Sequence, residues 1–267
     1  MTSLTHRRGW GFWLQLGFTL LVCALLTVPM AMSMLAGLTA NYFVGLKSGL
    51  TLHWVEEVWR VYAGTILLSL QIAVACLAVT LVVGVPAAYA LARRPGRLAR
   101  LVEELLMMPV AIPGLATALA LIVTYGAVGD LRSSWLFILV GHVLFTLPFM
   151  VRAVLAVMLS VDLTTLEEGA ASLGAGFIRR FRTIVLPNAR SGILAGSLMV
   201  LTLSVGEFNL TWLLHTPLTK TLPVGLADSY ASLRIEIGSA YTLVFFLMIV
   251  PSLILLQGLA RHGRPSA

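Results

Sequence analysis

Asp162-Leu-Thr-Thr-Leu-Glu-Glu-Gly-Ala-Ala-Ser-Leu-Gly174-Ala-Gly-Phe-Ile-Arg-Arg-Phe-Arg-Thr-Ile184-Val-Leu186-Pro187 stands between two long apolar runs, and its reading decides what the chain is. Asp162 and Thr164 are candidate N-caps. Thr164 with Glu167, or Thr165 with Glu168, fits a capping box, in which a hydroxyl and a glutamate three residues on satisfy free N–H groups of the first turn. A short helix then passes through Ala170 and Ala171 and stops at Gly174, a residue type that accepts the left-handed conformation at helix ends. The spacing predicts a second short helix with Phe177, Ile178 and Phe181 on one face and Arg179, Arg180 and Arg182 on the other, ended by Leu186-Pro187. Together they form a compact helix–glycine–helix knob, apolar on part of its surface.

Everything around the knob is apolar. Of 267 residues, 59% are hydrophobic and 11% charged, and the mean hydropathy is +0.96. A soluble domain carries roughly 25% charged residues, so this chain lacks the polar surface of a soluble enzyme. Its net charge of +7 resides in basic residues placed between apolar runs, where they act as topology signals and not as a nucleic-acid surface. Cys23 and Cys76 both lie inside apolar runs, which indicates neither a disulfide framework nor a metal site.

A helix needs about 20 apolar residues to cross a bilayer, and six stretches qualify: roughly 12–37, 63–92, 105–127, 135–158, 191–214 and 239–260. The first follows Arg7 and Arg8 but is too long for the apolar part of a signal peptide. With the N-terminus inside, Arg7, Arg8, Arg93, Arg94, Arg97, Arg100, Arg152, Arg179, Arg180, Arg182, Arg190, Arg261 and Arg264 are cytoplasmic. Only Lys47, Arg60, Arg132, Lys220 and Arg234 face the other side. Basic loops stay cytoplasmic, so both termini and the 162–190 loop are expected inside. The expected fold is an all-α membrane protein, a single domain over 1–267 with six transmembrane helices and a cytoplasmic loop between the fourth and fifth.

With these elements in place, the 162–187 stretch resembles the EAA loop of ABC importer permeases, in which Glu-Ala-Ala is followed by three residues, Gly, nine residues and Ile-x-Leu-Pro. Glu168, Gly169 and Ala170 take the first three positions, and Gly174, Ile184, Leu186 and Pro187 fall on the rest. Gly169 in place of Ala is the one departure. The end of the second span, Gly84-Val-Pro86-Ala-Ala-Tyr89-Ala-Leu91-Ala-Arg93, is similar to the family's, as are Met108-Pro109, Ile112-Pro113-Gly114 and Thr221-Leu222-Pro223. The resemblance covers most of the chain from about residue 60. It implies a type I importer subunit of the bacterial inner membrane whose loop docks on a cytoplasmic ABC ATPase dimer. A second permease subunit, identical or homologous, and a substrate-binding protein on the far side complete the assembly. The layout most resembles spermidine/putrescine-type permeases, and relatives for phosphonates, ferric iron, thiamine or oxyanions carry the same signatures.

Glu207 is the one acidic residue well inside an expected span, where an ionisable group is a functional candidate. With Asn209 and Thr211 it is read as part of a substrate pathway touching a cationic cargo. His142 and Gln71 read as interhelical hydrogen-bonding residues. His53, Trp54 and Trp59 are placed in an outer loop, and Arg179, Arg180 and Arg182 also suit contact with membrane lipid. No P-loop, HExxH or GxSxG pattern is present, and the histidines lack metal-ligand spacing. No catalytic site, metal or cofactor is expected, so ATP hydrolysis belongs to a partner. The alternative from another class is an ion-gradient-driven transporter using Glu207.

Overall fold

The computed structural model describes residues 10–94 and 96–262. His6, Arg7, Arg8 and Arg264, and the side chain of Arg261, lie outside the described residues. Among the described residues eleven α-helices follow one another: α1 Trp10–Ala36, α2 His53–Arg93, α3 Arg97–Ala111, α4 Gly114–Tyr125, α5 Trp135–Ser160, α6 Leu163–Ser172, α7 Phe177–Arg180, α8 Leu186–Val205, α9 Asn209–Leu214, α10 Leu222–Ala231 and α11 Ile235–His262. No strand occurs among the described residues beyond an isolated bridge between Thr39 and Leu50. Among the described residues five helical stretches are long and apolar enough to cross a membrane, and the bent pair α3–α4 supplies a sixth if counted as one span.

Helix α2, 41 residues long, is the common wall. Its Val58 and Ile66 pack with Leu222 of α10 and Ile237, Ala240 and Tyr241 of α11. Ile72 joins Ala118, Phe137, Ile138 and Leu210. Cys76, Val85 and Ala88 meet Met150, Val154 and Leu155 of α5 and Ala189 and Val200 of α8. Helices α5 and α8 approach closely because glycine faces the contact: a Cβ on Gly192 would lie 2.6 Å from the Ala153 carbonyl oxygen. Small residues permit such backbone approach between apolar helices. By contrast α1 is exposed along most of its length and rests on α11, where Gly37 meets the backbone of Ala240.

The structure corrects the expected spans in four places. The stretch 105–127 is not one helix, because α3 and α4 meet at 101°. Pro113 drives Ile112 into extended backbone, φ −86° and ψ 136°, since the residue before a proline is forced out of the helical region. The stretch 191–214 likewise breaks, with α8 ending at Val205 and α9 starting at Asn209. Leu186-Pro187 does not end the second knob helix. A π turn, Phe181–Val185, links α7 to α8, and Pro187 sits in the first turn of α8, where its missing N–H is tolerated. Finally, α2 begins at His53, so Trp54 and Trp59 lie on a helix and not in a loop. Trp54 donates its Nε1–H to the Thr39 carbonyl at 2.9 Å.

Candidate functional site

The knob is built from α6, α7 and the π turn. Asp162 caps α6: its carboxylate accepts from the Thr165 N–H at 3.2 Å and the Thr165 hydroxyl at 2.6 Å. Neither expected capping box forms, because Glu167 is turned inward and Asp162 has taken the cap. At the other end Gly174 has φ +82°. The Ala175 N–H bonds the Ala170 carbonyl at 3.0 Å and the Gly174 N–H bonds that of Ala171 at 2.9 Å, the paired bonds of a Schellman stop.

The seven residues of the expected coupling set divide in two. Glu168, Gly169 and Gly174 are exposed on the knob, with Ala170 half-buried beside them, and exposed Leu173, Phe177 and Ile178 supply apolar surface around them. Ile184 and Leu186 instead pack into the core that contains Val185 and Ala189. Pro187 is exposed at the start of α8. Thus four residues of the pattern lie on the knob surface, two anchor it, and Pro187 starts the helix that follows.

Sequence reasoning missed Glu167. Its carboxylate is fully buried and accepts from the Tyr89 hydroxyl at 2.8 Å and 3.2 Å, with the Arg93 guanidinium 3.2 Å away. The available signal was spacing: Tyr89 and Arg93 are four apart on one face of α2, and Leu163 and Glu167 are four apart on one face of α6.

The second candidate region lies where the two broken helices meet. A cavity of about 270 Å³ is lined by the 109–114 break, Thr117, Phe145, Glu207, Asn209 and Leu210. Gly114 allows the approach, since a Cβ there would lie 3.0 Å from the Asn209 Cβ. Glu207 is not on a helix face shared with Thr211, as its sequence position implied. It sits in the 206–208 break and folds onto α9, accepting from the Leu210 N–H at 3.0 Å, the Thr211 N–H at 3.0 Å and the Thr211 hydroxyl at 3.1 Å. Asn209 is exposed in the cavity wall. Thr211 is turned away from it, 2.8 Å from His142 Nε2, while His142 Nδ1 lies 2.8 Å from the Ser204 hydroxyl. The structure therefore brings Glu207 and Asn209 to the cavity and leaves Thr211 in an interhelical network. Among the described residues no cluster of three or more metal-ligating side chains occurs.

Residues 81–265 match the family described as binding-protein-dependent transport system inner membrane component. The chain is 29% identical to the sulfate transport system permease protein of Escherichia coli (strain K12), over 74% of this chain and 69% of the relative. It is 27% identical to the putative 2-aminoethylphosphonate transport system permease protein of Salmonella typhimurium (strain LT2), over 89% of each. The fold superposes with a TM-score of 0.72 on a chain of a bacterial ABC transporter involved in the import of the acidic polysaccharide alginate, at 15% identity and covering 96% of both chains.

Proposed function

The chain belongs to the binding-protein-dependent transport system inner membrane components, and from that premise we propose that it forms half of the translocation pathway of an ATP-driven importer. It is a multi-pass inner-membrane transport component and not an enzyme; an ATPase and a substrate-binding protein are its partners by family. The finer reading is ours. Two permease subunits pair, the knob docks in the cytoplasm on an ATPase dimer through Glu168, Gly169, Ala170 and Gly174, Ile184 and Leu186 seat it on the bundle, and Pro187 starts α8. Both termini then lie on the knob side. The observation that carries this reading is the exposed helix–Gly174–helix surface clamped to the ends of α2, α5 and α8.

For the cargo, the expected polyamine rested on Glu207 as a carboxylate open to a cation. In the fold its oxygens accept from three donors of α9, so the carboxylate is held as the cap of that helix and is not left open for a ligand. The relatives' names carry sulfate and 2-aminoethylphosphonate. Both facts favour a small oxyanion or phosphonate over a polyamine, with Asn209 and the broken-helix cavity in the pathway.

Purification from the native host in mild detergent, with mass spectrometry of what accompanies wild type and Gly174→Asp, tests the coupling role. The left-handed turn at Gly174 resists a side chain, so the variant should lose an ATPase that wild type retains. Calorimetry of the co-purifying binding protein with sulfate, molybdate, 2-aminoethylphosphonate and spermidine then assigns the cargo. Wild type without an ATPase, even after crosslinking, would make the alternative, a gradient-driven transporter, the leading reading.

A further inference from the structure

We propose that Glu167, Tyr89 and Arg93 are positioning residues that carry displacement of the knob into α2, a helix remote from the knob in sequence. This rests on the coupling role proposed above and extends it beyond the residues of the EAA pattern. The knob is covalently continuous with α5 and, through the π turn, with α8. Its link to α2 among the described residues is made by side chains, and they engage both halves of the knob at once. The Tyr89 hydroxyl bonds Glu167 of α6, while its ring lies 6.2 Å from Phe177 and 5.4 Å from Phe181, which themselves stack at 6.1 Å. Arg93, on the next turn of α2, pairs with the same carboxylate. A fully buried carboxylate cannot part from its cation without leaving a charge unpaired, so α6 and the end of α2 move as one piece.

The far end of α2 is fastened as firmly to the opposite side of the bundle. Ser69 Oγ accepts from the Leu222 N–H of α10 at 2.7 Å, and the Tyr62 hydroxyl accepts from Arg234 at 2.7 Å. Helix α2 is unbroken through Pro86. A push on the knob is thus also delivered along α2 to α10 and α11 at the other end of the bundle, in addition to the covalent routes through α5 and α8.

The test uses the complete complex, with its ATPase and binding protein, in proteoliposomes. Its reporter is the thiol introduced by Asn209→Cys in a Cys23→Ser background, Cys76 being buried. The probe is a membrane-impermeant thiol reagent, and the reading is the change in labelling rate on adding ATP with vanadate. The parent should change by at least about fivefold, the lower end of ordinary allosteric coupling. Glu167→Gln and Arg93→Met should keep the ATPase bound and hydrolysing ATP yet lose most of that change, and Arg93→Lys should keep it. An undiminished change in Glu167→Gln and Arg93→Met overturns the proposal, as does loss of the ATPase from them, which would make the trio part of the docking surface. A variant that fails to reach the membrane is replaced by Tyr89→Phe, which removes only the hydroxyl and is read by the same criteria. Absence of the ATPase from the parent overturns the coupling role itself and is distinguished by that.

Discussion

Glu207 and Arg132 hold opposite ends of one six-residue helix. The Glu207 carboxylate accepts the N–H groups of Leu210 and Thr211 at 3.0 Å each. The Arg132 guanidinium donates to the carbonyls of Leu214 at 2.7 Å and Leu213 at 3.1 Å. An anion at the N-terminus and a cation at the C-terminus both match the helix dipole. They also satisfy backbone groups that a helix of this length leaves open at its ends. Helix α9 has only six residues, too few for stability in isolation, so its place beside the broken-helix cavity depends on these two charges and on the packing of Leu210 and Leu214.

Removing either cap should therefore cost more than a surface contact. Glu207→Ala and Arg132→Met each leave backbone groups without partners inside the protein, a loss of about 1–3 kcal/mol apiece. Both act on one cooperative element, so the double variant should lose less than the sum of the two. Unfolding of the purified protein in detergent measures the cycle. Full additivity would mean that packing alone holds α9 in place.

His142 sets the orientation of α9 about its axis. The Thr211 hydroxyl hydrogen goes to the Glu207 carboxylate, so the Thr211 oxygen accepts from His142 Nε2–H, and Nδ1 is left to accept from Ser204. The chain Ser204, His142, Thr211, Glu207 is then satisfied with a neutral imidazole protonated on Nε2. His142→Leu takes the acceptor from the buried Ser204 hydroxyl and the imidazole donor from the Thr211 oxygen, and should cost about 1–3 kcal/mol. His142→Gln brings an amide N–H to the Nε2 position and should cost less. Equal losses in the two variants, measured by thermal unfolding in detergent, would mean that ring packing and not this network is what matters.

The helical class and the knob were legible because both rest on local signals: apolar runs, a cap and a glycine stop. Glu207 was legible as an unusual residue but not in its role, since a break at Gly206 changes what a carboxylate three residues from Leu210 can reach. The α3–α4 bend was written in Ile112-Pro113-Gly114, yet hydropathy averages straight across it. Glu167 was hidden for a different reason. Its partners lie 78 residues away on Tyr89 and on Arg93 of the same turn region, and the local sign that separates it from its exposed neighbour Glu168 is no more than its spacing of four from Leu163.

The glycines divide in the same way between contact and freedom. At Gly192 a Cβ would meet the backbone of Ala153 at 2.6 Å and of Val154 at 3.0 Å, atoms that cannot step aside. Gly192→Ala should separate α5 from α8 and cost about 1–3 kcal/mol, as overpacking generally does. At Gly169 nothing lies within 4 Å, and the position is inside α6. Gly169→Ala should stabilise the knob by about 1 kcal/mol through helix propensity alone and leave ATPase co-purification intact. Hydrogen exchange over α6 and unfolding of the whole protein report the two effects separately, and a destabilised knob in Gly169→Ala would contradict the open surroundings of that residue.

The cap at Asp162 makes the knob sensitive to acid. Hydrogen bonds from the Thr165 hydroxyl, and next from its N–H, hold the Asp162 carboxyl below its ordinary value of 3.8. A carboxyl whose value falls on folding favours the folded form fully at pH above the unfolded value. That advantage drains away as the pH falls through 3.8 and on through the lower folded value. The first turn of α6 should accordingly exchange its amide hydrogens faster, relative to the intrinsic rate, across that acidic window, while the neutral range leaves it unchanged. Asp162→Asn keeps an oxygen on the Thr165 N–H but cannot titrate, so its first turn should not respond to acid in this way. Thr165→Val removes the larger of the two causes and should move the transition up toward the ordinary carboxylate value. An acid response of α6 that persists unchanged in Asp162→Asn would assign it to some other group.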